Sequence, residues 1–239
     1  MRKKLLLVMC ILLIATGLYY SISRVPMTSA FAQTTNSIEN KMESLMTEID
    51  DLSKNNEQLA LNSSPYAYVE NSKDYKEIVE MGVKAVKPLY DLLYKSPDAG
   101  LYEYILALAI QEITQQEYIY HVDYGWKNSL EFRLCYETKV NNSITDFEYI
   151  MNVKELSEQE KISRISDLGL FAVDSLLDEL DKKDSLLSDK VIETSLINII
   201  KKTSKYDDNF NAQSIANWRT ENEDAYRYLK VLNKTRYSD

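Results

Sequence analysis

Ile78–Leu93 reads IVEMGVKAVKPLYDLL, and 87 residues later Ile165–Leu180 reads ISDLGLFAVDSLLDEL. Seven of the 16 aligned positions are identical: Ile78/Ile165, Gly82/Gly169, Ala85/Ala172, Val86/Val173, Leu89/Leu176, Asp91/Asp178 and Leu93/Leu180. At Met81/Leu168 and Val83/Leu170 one apolar side chain replaces another. Apolar residues return every three or four positions on both sides of the glycine, which is the period of a helix with one buried face. Each glycine stands where the first helix must stop, and a left-handed residue there lets the chain reverse. Ser157 and Glu160 have the spacing of a capping box that opens the helix ending at Leu168. Pro88 is expected in the opening turn of the helix after Gly82, where its missing N–H costs little. A helical hairpin written twice, with almost no strand-like alternation elsewhere, predicts an all-α chain.

The correspondence continues downstream. Tyr104–Thr114 (YILALAIQEIT) and Glu193–Thr203 (ETSLINIIKKT) both read as strongly apolar helices, and each is followed by a tryptophan, Trp126 and Trp218. A basic residue comes next in both cases, with a glutamate five positions on: Lys127 and Glu131, Arg219 and Glu223. The chain therefore reads as two tandem units, residues 62–156 and 157–239. Each is a hairpin, a third apolar helix, a loop carrying Trp and a closing helix, and each Trp is expected to close its unit over the hairpin. Ahead of them, residues 33–61 place Ile38, Met42, Leu45, Ile49, Leu52, Asn56 and Leu59 on one heptad seam of a helix opened by Asn36 or Ser37. Two uses of that seam remain open: an amphipathic helix covering the open end of the first unit, or a stalk that self-associates through residues 38–59 with Asn56 fixing register. Asn62-Ser63-Ser64-Pro65 breaks the helix, with Pro65 starting a further turn.

The pattern Leu/Met-Gly-x-x-Ala-Val-x-x-Leu-x-x-x-Leu, present at Met81–Leu93 and Leu168–Leu180, resembles the helix-turn-helix consensus of HEAT repeats. The whole is similar to the HEAT-like domains of exported Gram-positive bacterial proteins. The resemblance covers both hairpins with their following helices, and it implies a short α-solenoid whose concave face binds proteins or peptides; it brings no catalytic residues. The chain departs from a regular array in having two hairpins separated by long non-repeating segments, Gln115–Gln159 and Ser204–Asp239.

Residues 1–32 carry a separate message. Arg2, Lys3 and Lys4 precede an unbroken apolar run from Leu5 to Ile14, extended by Ala15 to Tyr20, and Ala30-Phe31-Ala32 offers a small-x-small cleavage site. This is either a signal peptide, with Pro26 holding the following segment extended for a peptidase, or an uncleaved N-terminal membrane anchor. Both readings place the rest of the protein outside the cytoplasm. Cys10 is not a lipidation site, because bulky Met9 precedes it.

Beyond Ala32 the chain has 24 Lys and Arg against 37 Asp and Glu, with no basic cluster. A surface of that sign repels phosphate backbones, which argues against nucleic acid and favours a basic partner. One His, two Cys and five scattered Gly leave little material for zinc centres, phosphate loops or His-based triads, and no cofactor is implied. His121 would need Cys135 as its nucleophile, yet Cys135 sits in the apolar run FRLCY of a buried, inert thiol. Asp207-Asp208-Asn209-Phe210-Asn211 begins like a calcium loop but has Ala212 at the glycine position and Trp218 at the final glutamate position, so it reads as a polar turn. A cluster of Asp123, Glu131 and His121 in a deep pocket would be the mark of an enzyme.

Eighteen tyrosines is heavy usage, and they crowd the first unit. Tyr90 and Tyr94 share a helix face, Tyr102 lies across the next turn, and Trp126 follows. These four are the candidate binding residues, either as one exposed aromatic patch for a protein or peptide, or as a stacking platform for wall glycan. The expectation is a non-enzymatic interaction module.

Overall fold

A computed structural model describes residues 29–55, 64–121, 124–203 and 209–229. The apolar run Leu5–Tyr20, Asn56, Leu59 and Asp207-Asp208 lie outside them. Helices carry the described fold: α1 (Ser29–Asn55), α2 (Tyr66–Val69), α3 (Lys73–Glu80), α4 (Val83–Lys95), α5 (Leu101–Thr114), α6 (Ser129–Asn152), α7 (Glu158–Leu168), α8 (Val173–Leu180), α9 (Asp189–Thr203) and α10 (Ala212–Tyr228). The exception to helix is a small antiparallel ribbon between α5 and α6, made by β1 (Ile119–His121) and β2 (Tyr124–Gly125).

The two hairpins are built alike. Gly82 has φ 59° and ψ −140°, and Gly169 has φ 64° and ψ −148°. Both lie at positive φ, but away from the ordinary left-handed helical well, in a region that is essentially glycine's alone. The Gly169 turn is also crowded: a Cβ there would stand 2.1 Å from Gln116 Nε2, whereas at Gly82 it would meet nothing within 4 Å. Ser157 caps α7 as its spacing predicts, its hydroxyl accepting from Glu160 N at 3.3 Å while Glu160 Oε2 accepts from Ser157 N at 2.9 Å.

After the glycine the copies differ. In the first, α4 begins at once, so Pro88 lies in its second turn rather than its first. In the second, a 3₁₀ turn over Gly169–Ala172 precedes α8, so Ser175, the counterpart of Pro88, does fall in an opening turn. The correspondence of the tryptophans also ends at sequence order. Trp126 precedes α6, as expected of a loop residue, but Trp218 lies inside α10, because Asn211 caps that helix early by accepting from Gln213 N at 3.0 Å.

Ile38, Met42, Leu45 and Ile49 of α1 are buried, and α1 packs on α3 and α4. A coiled-coil stalk would have to strip this seam from its own domain. Lys41 reaches across to Asp74 and Glu77 of α3. Ala30–Ala32 lie within α1, so this segment is helical rather than extended. The Thr34 and Thr35 hydroxyls donate to the carbonyls of Ala30 and Phe31, both at 3.0 Å, and the Phe31 ring lies 5.4 Å from that of Tyr228 in α10.

Helix α10 packs on α9 and α8 and also returns to α4. The last described helix is thereby wedged against the first hairpin, and the described fold closes on itself. Between the hairpins runs a chain of rings: Tyr104 to Trp126 (4.5 Å), Trp126 to Phe132 (5.0 Å), Phe132 to Tyr118 (4.8 Å), Tyr118 to Tyr136 (6.0 Å) and Tyr136 to Phe171 (5.5 Å). Rings at these separations add to the area they bury.

Candidate functional site

The four sequence-predicted binding residues do not form one exposed patch. Tyr90 is fully buried: its ring stacks on Tyr136 at 4.7 Å and its hydroxyl donates to Glu137 Oε1 at 2.7 Å. Burial, with the Glu137 carboxylate beside it, holds that phenol far above its ordinary pKa and therefore neutral. Tyr94 is half-buried, with the Arg133 guanidinium 5.3 Å from its ring centre. Tyr102 is half-buried on another side of the molecule, where it borders a shallow hollow with Glu39 and Met46 of α1. The helical period put Tyr90 and Tyr94 on one face correctly, but α6 covers that face.

Trp126 is where the sequence reading and a usable surface meet. Its indole N–H donates to Gln111 Oε1 at 2.6 Å, which fixes the ring against α5. Around it lies a hollow of about 360 Å³, walled by Tyr66 from α2, Tyr104 from α5 and Trp126, with Glu117, Tyr118 and Ile119 on the ribbon side. Tyr66 is 48% exposed and Tyr104 is half-buried. The phenols of both are raised above their ordinary pKa, in each case first by burial; Tyr66 also feels the Glu112 carboxylate, and Tyr104 feels Tyr66.

On the other side of β1 lies a groove of about 460 Å³ against α6, lined by Leu134, Cys135 and Lys139 together with the same Glu117, Tyr118 and Ile119. Ile119 is 55% exposed and Leu134 49%. The Lys139 ammonium donates to the Glu117 carbonyl at 3.3 Å, and burial lowers its pKa. Tyr66 is one of the tyrosines that crowd the first unit, but nothing in the sequence marked Ile119 or Leu134. Leu134 shares an exposed face of α6 with Leu130, away from the buried Phe132, Tyr136 and Val140.

The groups considered for chemistry are placed as follows. Cys135 is buried and free, and burial raises its thiol pKa, so the thiol form prevails. The side chains of His121 and Asp123 lie outside the described residues. Glu131 caps the start of α6, its Oε2 accepting from Lys127 N at 2.7 Å. Asn211 serves as a helix cap. Among the described residues no group of three or more His, Cys, Asp or Glu could hold a metal ion, and no helix is long and apolar enough to cross a membrane.

No family model, curated protein or solved structure matches the chain.

Proposed function

We propose that this protein is an exported or membrane-anchored, non-enzymatic module that binds a protein or peptide. In this reading the tandem hairpins are a short HEAT-like solenoid preceded by an amphipathic helix, and the binding surface is the face around the ribbon rather than a concave groove. One observation carries it: Ile119, 55% exposed, borders both hollows, which share Glu117, Tyr118 and Ile119, and Leu134, 49% exposed, borders one of them. Neighbouring exposed apolar groups with aromatic walls are the composition of an interface core. The apolar N-terminal run and the acidic balance support a role outside the cytoplasm, away from nucleic acid.

Capture from an extract of surface proteins and on purified wall polymer tests the reading, with an Ile119→Ser/Leu134→Ser variant as control. A defined protein partner retained by the wild type and lost by the folded variant supports it. Retention on wall polymer alone favours instead a glycan binder, stacking sugars on Tyr66, Tyr104 and Trp126.

A further inference from the structure

We infer that the hollow walled by Tyr66, Tyr104 and Trp126 is a receptor for a single Lys or Arg side chain of an extended basic segment in the partner. This rests on the protein-binding reading and adds the residue that anchors it. Three aromatic residues from three separate elements converge there: α2, α5 and the segment before α6. The indole N–H is already spent on Gln111, so Trp126, 8% exposed, contributes a small area of its ring to the wall and not a donor. Tyr104 lies 4.5 Å from Trp126, ring centre to ring centre and tilted by 43°, and Tyr66 lines the same hollow with about half its surface free. A cation held over a ring face is attracted by the ring quadrupole.

The charges select the sign of the occupant. Glu117 borders the hollow, Glu112 on α5 is close enough to act on the Tyr66 hydroxyl, and no Lys or Arg is among the described residues that line it. Lys139 lines the neighbouring groove, bonded to the Glu117 backbone carbonyl, and its ammonium already feels the Glu117 carboxylate. The chain as a whole carries a formal charge of −9. A neutral sugar would use the rings and donate hydroxyl hydrogen bonds to a carboxylate, whereas a cation adds full charge attraction to both. At about 360 Å³ the space suits one long side chain, whose apolar neighbour in the partner then meets Ile119 and Leu134.

The experiment uses the full-length protein in non-ionic detergent and two octapeptides, one alternating leucine with arginine and one with citrulline, the uncharged near-isostere, in place of arginine. Calorimetry is expected to give at least about tenfold tighter binding of the arginine peptide, and Tyr66→Ala or Tyr104→Leu to weaken it about three- to tenfold while leaving the citrulline peptide unchanged. Tyr66→Ala removes a half-exposed side chain, so the folded protein is available for the comparison. Equal affinity for both peptides, lost in Leu134→Ser, overturns the cation receptor and leaves the protein-binding surface standing. An arginine preference untouched by Tyr66→Ala and Tyr104→Leu also overturns it, as general charge attraction. Binding of an N-acetylglucosamine oligomer at these rings, with neither peptide bound, overturns both readings.

Discussion

Gly82 and Gly169 were legible in the sequence as chain-reversing positions, but their cost of replacement was not. The φ and ψ of both exclude an ordinary L residue, so each Gly→Ala exchange is expected to lose about 1–3 kcal/mol from strain alone. Gly169→Ala must also push Gln116 out of a buried site, and the larger loss is expected there. Urea unfolding of the two variants side by side measures the difference. Glu179 is a second residue whose environment decides its role: burial opposes its charge, but donors from Lys182 (2.6 Å) and Ser185 (2.7 Å) prevail, and its carboxyl lies below the usual range. A depressed carboxyl stabilises the fold above its unfolded pKa of about 4.3 and ceases to do so as pH falls through the folded value. Glu179→Gln is therefore expected to destabilise the protein at pH 7 and to differ progressively less from wild type in unfolding experiments below about pH 4.

At the scale of elements, α1 shows what periodicity reveals and where it stops. The 4-3-4 spacing of Ile38, Met42, Leu45 and Ile49 predicts a buried stripe without saying what buries it; the ion pairs of Lys41 with Asp74 and Glu77 and the packing on α3 and α4 supply the answer. Met42→Ala or Leu45→Ala is expected to cost about 2–5 kcal/mol, against less than about 0.5 kcal/mol for Leu52→Ala at a position 43% exposed. Chemical denaturation of the three variants checks this. Tyr90 marks the limit. Spacing assigns it to a helix face, but whether that face meets solvent depends on a neighbour distant in sequence, α6, 47 residues on to its partner Glu137. The alternation that makes β1 and β2 is too short to register as a strand pattern, so the element that shapes the candidate site was invisible.

The whole molecule departs from a linear array because α10 packs on α4 and Tyr136 reaches Phe171 across the two hairpins. In an open array the repeats can unfold separately; here neither unit keeps its packing without the other. Single-tryptophan variants Trp218→Phe and Trp126→Phe report on the first and second units respectively, and their fluorescence transitions in urea are expected to coincide with each other and with the loss of helix by circular dichroism. Two separated transitions would show that the return of α10 contributes little.

The contact between the Phe31 and Tyr228 rings has a topological consequence. Because the first and last described helices meet, the order in which the chain visits its elements is not imposed by distance. A circular permutant that joins these ends through a short flexible linker and opens the chain at the exposed Lys182–Asp184 turn is expected to reach the same fold. The ribbon would then be carried on the same fold with the N-terminal apolar run attached at a different element.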